Sequence, residues 1–424
     1  MQAILSNDTL RQYLAWIQKG GFAVLDQGLF AGTNFLVGVL LARWLEPVAY
    51  GAFSTAYSIF LFMGTLHAAL WTEPMLVYGS GRFRKQYHHY QKVLLIYHWR
   101  FGLVSSTSFA ILSIIFFTIN QPELGQSFAG LGIASPFILY LWLVRRSAYV
   151  LLKPQYAALG GGLYLVLYLG LSFLLFQINL LNEISSLCTM AIAAAGASGI
   201  AQIQIKAEEN KFQDNLLESD TVINLHLQYG KWALVASGLS WVPLNLYYIV
   251  IPFFNGLQAS AMLKALMNLI MPILQFNAAL AGLFVPVFTR SLNNGKTWGY
   301  FRKGLLMLTA FSITYWIIII AFGNNLFSWL YGGKFPAESY YFILIGSLPV
   351  ISSWVNTFGA LLKSLEKPNI VALSYALAAI VSVIAIIIIV YIGFAGALIG
   401  MIASLFGSAG IMAYFINSAQ TEKT

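Results

Sequence analysis

Apolar runs long enough to cross a lipid bilayer recur along this chain from residue 22 almost to its end, and no other feature limits its fold as strongly. A helix rises about 1.5 Å per residue, so ~30 Å of hydrocarbon needs roughly 20 apolar residues. Twelve segments reach that length, at about 22–43, 48–72, 93–118, 127–147, 156–178, 183–205, 229–253, 258–288, 304–322, 337–362, 369–391 and 395–417. Transmembrane strands would alternate polar and apolar residues over ~10-residue segments, whereas these runs are continuous. Composition points the same way. Charged residues make up 9% of the 424 positions and hydrophobic ones 59%, where a soluble domain carries roughly a quarter charged. The fold class is therefore an all-α polytopic membrane protein of about twelve transmembrane helices. The first run is too long for the ~7–15-residue core of a cleavable signal, and Arg43 follows it instead of a small-residue cleavage site.

The net charge of +9 matters through its placement and does not point to a nucleic-acid partner. With the N-terminus placed in the cytoplasm, 19 of the 23 Lys and Arg fall on inside segments and only Arg43 and Lys334 on outside loops. Cytoplasmic loops carry an excess of these residues, so both termini are expected inside. The outside loops are short. The longest, about 323–336, holds the turn signal Tyr331-Gly332-Gly333-Lys334.

The longest polar stretch, 206–228, lies at mid-chain and divides it into an N-terminal six-helix lobe (1–205) and a C-terminal one (229–424). At an offset of 210 residues, Gly28-Leu29 matches Gly238-Leu239, and Asn34 and Asn245 follow shortly after. Two repeated lobes around a central substrate path are a common transporter plan.

Charges are costly in the membrane and face other helices or a wet cavity. They are few here: Asp26, Glu73, Arg100, Arg145, Arg146 and Lys264. Arginine keeps its charge and offers a planar fork that matches phosphate oxygens. Arg100, Arg145, Arg146 and Lys264 are therefore candidates to hold a diphosphate headgroup. The alternatives are that Arg145-Arg146 and Lys264 snorkel to an interface, and that Arg100 pairs with Glu73 or Asp26 to hold helices together. Asp26 and Glu73 are the candidate coupling or ion-pair acids. Asn34, Trp241, Asn245, Tyr248 and Asn268 lie on polar and aromatic stripes at helical spacing. Such faces suit a sugar path, and equally suit helix packing with polar contacts.

No Walker A, HExxH or GxSxG motif occurs, the histidines form no metal signature, and Cys188 is the sole cysteine. No catalytic residue, metal or organic cofactor is expected. A coupling cation, H⁺ or Na⁺, or the membrane potential would drive transport.

The segments Asp26-Gln27, Asn34-Phe35, Ala42-Arg43-Trp44-Leu45 and Tyr50-Gly51-Ala52-Phe53 resemble the first two helices of bacterial Wzx-type lipid-linked oligosaccharide flippases, in the MATE-like (MOP) superfamily. The similarity continues through Glu73-Pro74-Met75-Leu76-Val77, Arg145-Arg146, Lys153-Pro154, Tyr229-Gly230-Lys231-Trp232, Asn245-Leu246-Tyr247-Tyr248, Tyr331-Gly332-Gly333-Lys334-Phe335 and Lys367-Pro368. The resemblance implies a bacterial inner-membrane transporter that moves an undecaprenyl-diphosphate-linked oligosaccharide to the outer leaflet by alternating access, for exopolysaccharide, capsule or O-antigen. Its partners would be that lipid-linked sugar, membrane lipids and polysaccharide assembly proteins such as glycosyltransferases and a polymerase. A cation-coupled multidrug exporter of the same superfamily is the second reading, disfavoured by the cationic balance within the membrane. A polysaccharide polymerase or ligase is disfavoured because no large outer loop exists. A membrane component that recruits glycosyltransferases through 206–228 is a third alternative.

Overall fold

The computed structural model describes residues 7–209, 218–292 and 295–421, and no strand occurs among them. The helices are α1 (Asn7–Trp44), α2 (Pro47–His67), α3 (Glu73–Tyr78), α4 (Tyr87–Thr118), α5 (Pro122–Val150), α6 (Pro154–Gln177), α7 (Glu183–Glu209), α8 (Ser219–Leu292), α9 (Thr297–Tyr331), α10 (Ser339–Ser364), α11 (Pro368–Ile384), α12 (Ile386–Ile392) and α13 (Phe394–Thr421). A π-helical turn, Ala68–Thr72, joins α2 to α3. Eleven helical stretches are long and apolar enough to span a membrane. One of them, Ala233–Leu292, counts twice, because α8 is broken within it at Gly256. There the backbone turns to φ 75° and ψ 169°. That conformation is open to glycine alone. The twelve expected spans are thus present in an all-helical, multi-pass chain.

Two loop expectations change. Helix α9 continues to Tyr331 and stops where Gly332 turns left-handed, at φ 63°. Such a glycine is a common helix terminator. The outer loop expected at 323–336 therefore shrinks to 332–338. The polar Asn324-Asn325 pair stays helical, with the Asn324 amide donating to Ser339 Oγ at 3.0 Å. Of the expected loop 206–228, residues 206–209 finish α7 and 219–228 begin α8, while 210–217 lie outside the described residues.

The chain groups into two compact units, Met1–Val37 with Met63–Leu234, and Gly38–Phe62 with Val235–Thr424. This grouping follows contacts and not the sequence boundaries 1–205 and 229–424. Residues 38–62 join the later helices because Tyr50 and Thr55 are bonded to Asn268 and Ser260 on α8. In the first unit α5 packs on α4 and α7, and α7 on α6. Ser105 bonds Ser135 at 3.1 Å, and buried alanines 193, 194, 197 and 201 let α7 approach closely. In the second unit α9 packs on α10, and α13 on α10 and α11, with Ser382–Ser404 and Ser408–Ser374 bonds of 2.8 and 3.1 Å between helices. Lipid is as apolar as leucine, so small residues and interhelical hydrogen bonds hold such helices together.

Three prolines show how the fold tolerates helix breakers. Each lacks the N–H that would bond the carbonyl four residues earlier. Pro136 frees Gly132, whose carbonyl accepts from Ser106 Oγ at 2.6 Å. Pro252 frees Tyr248, whose carbonyl accepts from Thr55 Oγ1 at 3.1 Å and Ser260 Oγ at 3.4 Å. Pro74 frees Leu70, whose carbonyl accepts from His226 Nδ1 at 2.8 Å. Freed backbone groups in a membrane need such replacement partners.

A repeat is visible in the turns after α5 and α10. Leu152 (φ 57°) and Glu366 (φ 59°) are both left-handed, and each precedes a Lys-Pro pair that opens the next helix. Lys153 N bonds Ala148 O, and Lys367 N bonds Leu362 O, at 2.9 Å in both cases. One turn belongs to each unit.

Candidate functional site

In the first unit, α1 and α5 bring the intramembrane charges together. Asp26 is fully buried, and Arg145 meets it with two parallel bonds, Nε to Oδ1 and Nη2 to Oδ2, both 2.9 Å. Tyr149, one turn further along α5, donates to Asp26 Oδ2 at 2.8 Å. The Arg145 guanidinium also lies 4.0 Å over the Phe30 ring, on the same face of α1 as Asp26. Every lone pair and N–H of a buried pair must be met if it is to persist in a low dielectric, and this arrangement does much of that.

The pair borders a cavity of about 250 Å³, lined also by Gln27, Trp142 and Arg146, with Ala68 and Thr72 from the π-turn. Arg146 is exposed, and the charges of Glu73 and Asp26 reach it. Glu73 itself is exposed; beyond the membrane spans, burial and then the Glu73 charge push the Tyr229 phenol above its ordinary range. The cavity therefore presents one cation, Arg146, beside an internally neutralised Asp26–Arg145 pair. Its shape and polarity suit a small anionic group between aromatic walls.

In the second unit, Lys264 of α8 lies between two tyrosine rings, 5.9 Å from the centroids of both Tyr57 and Tyr248. No acid among the described residues pairs with it. One turn on, buried Asn268 donates to Tyr50 Oη at 3.1 Å, and Tyr50 donates to the Gly38 carbonyl at 2.9 Å. Nearby in sequence, Trp241 packs edge-on against Phe62 at 5.2 Å, and Asn245 donates back to the Trp241 carbonyl at 2.9 Å.

Arg145, Arg146 and Asp26 thus meet at one cavity, and Lys264, Tyr248 and Asn268 form a second group. Arg145 is committed to Asp26, so it is not a free fork for a diphosphate. Arg100, which the sequence offered as a partner for Asp26 or Glu73, instead stacks on Tyr97 at 4.9 Å. It sits in an exposed apolar row with Ile96, Leu103 and Val104. From Arg100 the rest of α4, to Thr118, covers about 27 Å along the axis, close to one hydrocarbon thickness. That depth suits a side chain snorkelling to the boundary. Asn34 is half-buried and joins neither group. Sequence reasoning missed Tyr149, Phe30 and Tyr57. Tyr149 stands four residues after Arg145, and Phe30 four after Asp26, so helical spacing could have found both. Nothing local marks Tyr57 as a neighbour of Lys264.

No family model matches the sequence, and a search of curated proteins finds no match. Solved structures do resemble it. An inward-facing multidrug resistance MATE family transporter of the MOP superfamily is 14% identical and superposes with a TM-score of 0.73, covering 95% of this chain and 99% of that one. A MOP superfamily transporter from Pyrococcus furiosus, whose reverse binding-pocket polarity is said to suggest a different function, is 12% identical with a TM-score of 0.67, covering 97% of this chain and 96% of that one. A eukaryotic MATE transporter is likewise 12% identical with a TM-score of 0.67, covering 95% and 96%. At these identities the likeness shows the fold, which is that of MATE-like MOP transporters.

Proposed function

We propose that this protein is a membrane transporter that flips a polyprenyl-diphosphate-linked oligosaccharide from the cytoplasmic to the outer leaflet of a bacterial inner membrane. The observation that carries the reading is Lys264, a membrane-embedded cation bracketed by Tyr57 and Tyr248 with no acid among the described residues to neutralise it. A site built for cationic drugs would place an acid there. A lone ammonium between aromatic faces suits an anionic headgroup that carries sugar rings. Arg146 supplies a second cation at the cavity of the first unit. Flipping needs no bond chemistry. It needs a polar path for a headgroup that hydrocarbon rejects, while the polyprenyl tail stays in lipid. The placement of Lys and Arg supports cytoplasmic termini. Glycosyltransferases and a polymerase remain the proposed partners.

Native mass spectrometry of the protein purified from its own membranes tests this. The expected result is a co-purifying polyprenyl-diphosphate saccharide that Lys264→Gln loses while folded protein remains. Retention of that lipid by Lys264→Gln refutes the role of Lys264. Ordinary phospholipid alone on well-folded wild type refutes the substrate class. The second reading, a cation-coupled multidrug exporter, draws on the resemblance to a multidrug resistance transporter. It predicts cationic-drug resistance in expressing cells that Lys264→Gln leaves intact or raises.

A further inference from the structure

Two histidines outside both candidate groups face each other inside the first unit. His67 ends α2 and His98 lies in α4. Both are fully buried, and His67 Nε2 lies 3.0 Å from His98 Nδ1. Phe101 stands 5.4 Å from the His67 ring, and Trp99 and Tyr140 stand 5.1 and 5.5 Å from the His98 ring. Among these enclosing rings Tyr140 is the titratable one. Arg100, the next charge along α4, stacks on Tyr97, and Asp26, Arg145, Arg146 and Tyr149 belong to the cavity that begins at Ala68.

The proton count of this pair is informative. Two neutral imidazoles carry two N–H groups and two bare nitrogens. Their shared hydrogen bond consumes one of each. One N–H and one bare nitrogen are left over, on the outer atoms His67 Nδ1 and His98 Nε2; the Pro136 backbone carbonyl approaches the His98 ring, while His67 Nδ1 meets no partner among the described residues. Here one end can accept a proton and the other can release one. Protonation of the bare nitrogen makes an imidazolium whose charge is shared across the existing N–H···N bond, and no other bond breaks.

The position also suits exchange. His67 closes α2, which starts at Pro47, and His98 stands equally far from the end of α4 at Thr118. Both distances are about 30 Å along a helix, one hydrocarbon thickness. The pair therefore lies toward one side of the apolar layer, within the spans Pro47–Tyr78 and Arg84–Thr118. His67 directly precedes the π-turn Ala68–Thr72, and π-bulges of this kind recur at functional sites, where the ladder can shift by a residue. Asp26, the sequence-level candidate for carrying a coupling ion, is already held by Arg145 and Tyr149.

We propose that the His67–His98 pair is the proton site of this transporter, taking up one H⁺ per cycle in a conformation that wets its outer nitrogens and releasing it in the dry arrangement seen here. The proposal is independent of which substrate is carried.

The test measures linkage between protons and conformation. Spin labels at two introduced cysteines, one on α5 and one on α10 in a Cys188→Ser background, report the conformer populations by electron–electron distance in lipid nanodiscs from pH 5 to 8. One linked proton shifts the conformer ratio by up to about tenfold per pH unit. That shift is expected in the wild type and in His226→Gln, and is expected to vanish in His67→Gln and in His98→Gln. Populations independent of pH in the wild type overturn the proposal, as does an unchanged slope in both pair variants. If neither variant folds, ¹⁵N-histidine spectra of the wild type in bilayers decide. One proton taken up by the two rings together supports the pair; two independent titrations, or none, refute it.

Discussion

Replacing Asp26 with leucine would leave the Arg145 guanidinium buried without its carboxylate. The variant loses two charge-assisted bonds of 2.9 Å and the 2.8 Å bond from Tyr149. Hydrogen bonds to charged groups contribute roughly 1.5–3 kcal/mol each, and stripping one partner from a buried pair costs about 3–5 kcal/mol once the surroundings relax. Arg145→Met strands the carboxylate instead, with Tyr149 as its remaining donor, and the same range applies. The double variant removes both charges together with their desolvation penalty. It is expected within about 2 kcal/mol of the wild type, because well-packed apolar replacements of buried pairs are often neutral or better. The coupling energy of the cycle is then roughly 4 kcal/mol or more. Unfolding in mixed micelles with rising SDS, followed by tryptophan fluorescence, measures all four proteins. Additive losses in the double variant would refute the reasoning. They would show that each side chain acts through its own packing, Arg145 chiefly through Phe30. A stable double variant that still transports would further show that the pair is architecture and not the coupling site.

Other outcomes follow from the same contacts. Burial holds the His226 imidazole down at about 4, below its ordinary 6.5, with the bond to Leu70 opposing this in part. The folded state therefore binds fewer protons than the unfolded one between those values. The His226 contribution is complete above pH 6.5 and falls by ~1.4 kcal/mol per unit as pH drops toward 4. Over that range the loss of stability with falling pH should be shallower in His226→Gln than in the wild type by that amount, and equal slopes would refute it. Glu366 is left-handed at φ 59°, which costs a non-glycine residue roughly 1 kcal/mol. Glu366→Gly should therefore raise the midpoint of thermal unfolding, and an unchanged or lower midpoint would count against strain there. Thr55 and Ser260 both serve the carbonyl freed by Pro252. Thr55→Val or Ser260→Ala alone should cost about 1 kcal/mol in the micelle assay, and the two together more than the sum, because the last donor to a dry carbonyl is then gone.

The Pro74–Leu70–His226 arrangement bears on how α8 is held. The imidazole donates through Nδ1 to the Leu70 carbonyl and accepts from the Tyr90 hydroxyl at Nε2 over 2.7 Å, so its tautomer is determined by its two partners. Trp71 stacks on the same ring at 5.9 Å. The opening of α8 is thereby fastened to the π-turn within the first unit, a few residues before that unit ends at Leu234.

Much of the fold was legible because the bilayer enforces a local rule. Every backbone polar group in hydrocarbon must be bonded within its own segment, so each run of about twenty apolar residues is a helix whatever its neighbours do. That rule alone yields the twelve spans, the absence of strands among the described residues, and the break near Gly256. It does not locate helix ends outside the hydrocarbon, which is why α9 runs through Asn324 and Asn325, where polarity alone predicts a loop. The charged residues of the candidate sites were legible as a list, since any intramembrane charge stands out against a chain with 9% charged residues. Their partners were not. Arg145 and Arg146 are adjacent in sequence and both border the cavity, yet Arg145 is buried and locked to the distant Asp26 while Arg146 is exposed. Consecutive helix positions point about 100° apart, and only the packing of α5 decides which of the two meets α1. Pairing His67 with His98, and Lys264 with Tyr57, likewise depends on which helix faces touch, and that is set by tertiary packing of small and polar side chains that no single helix encodes.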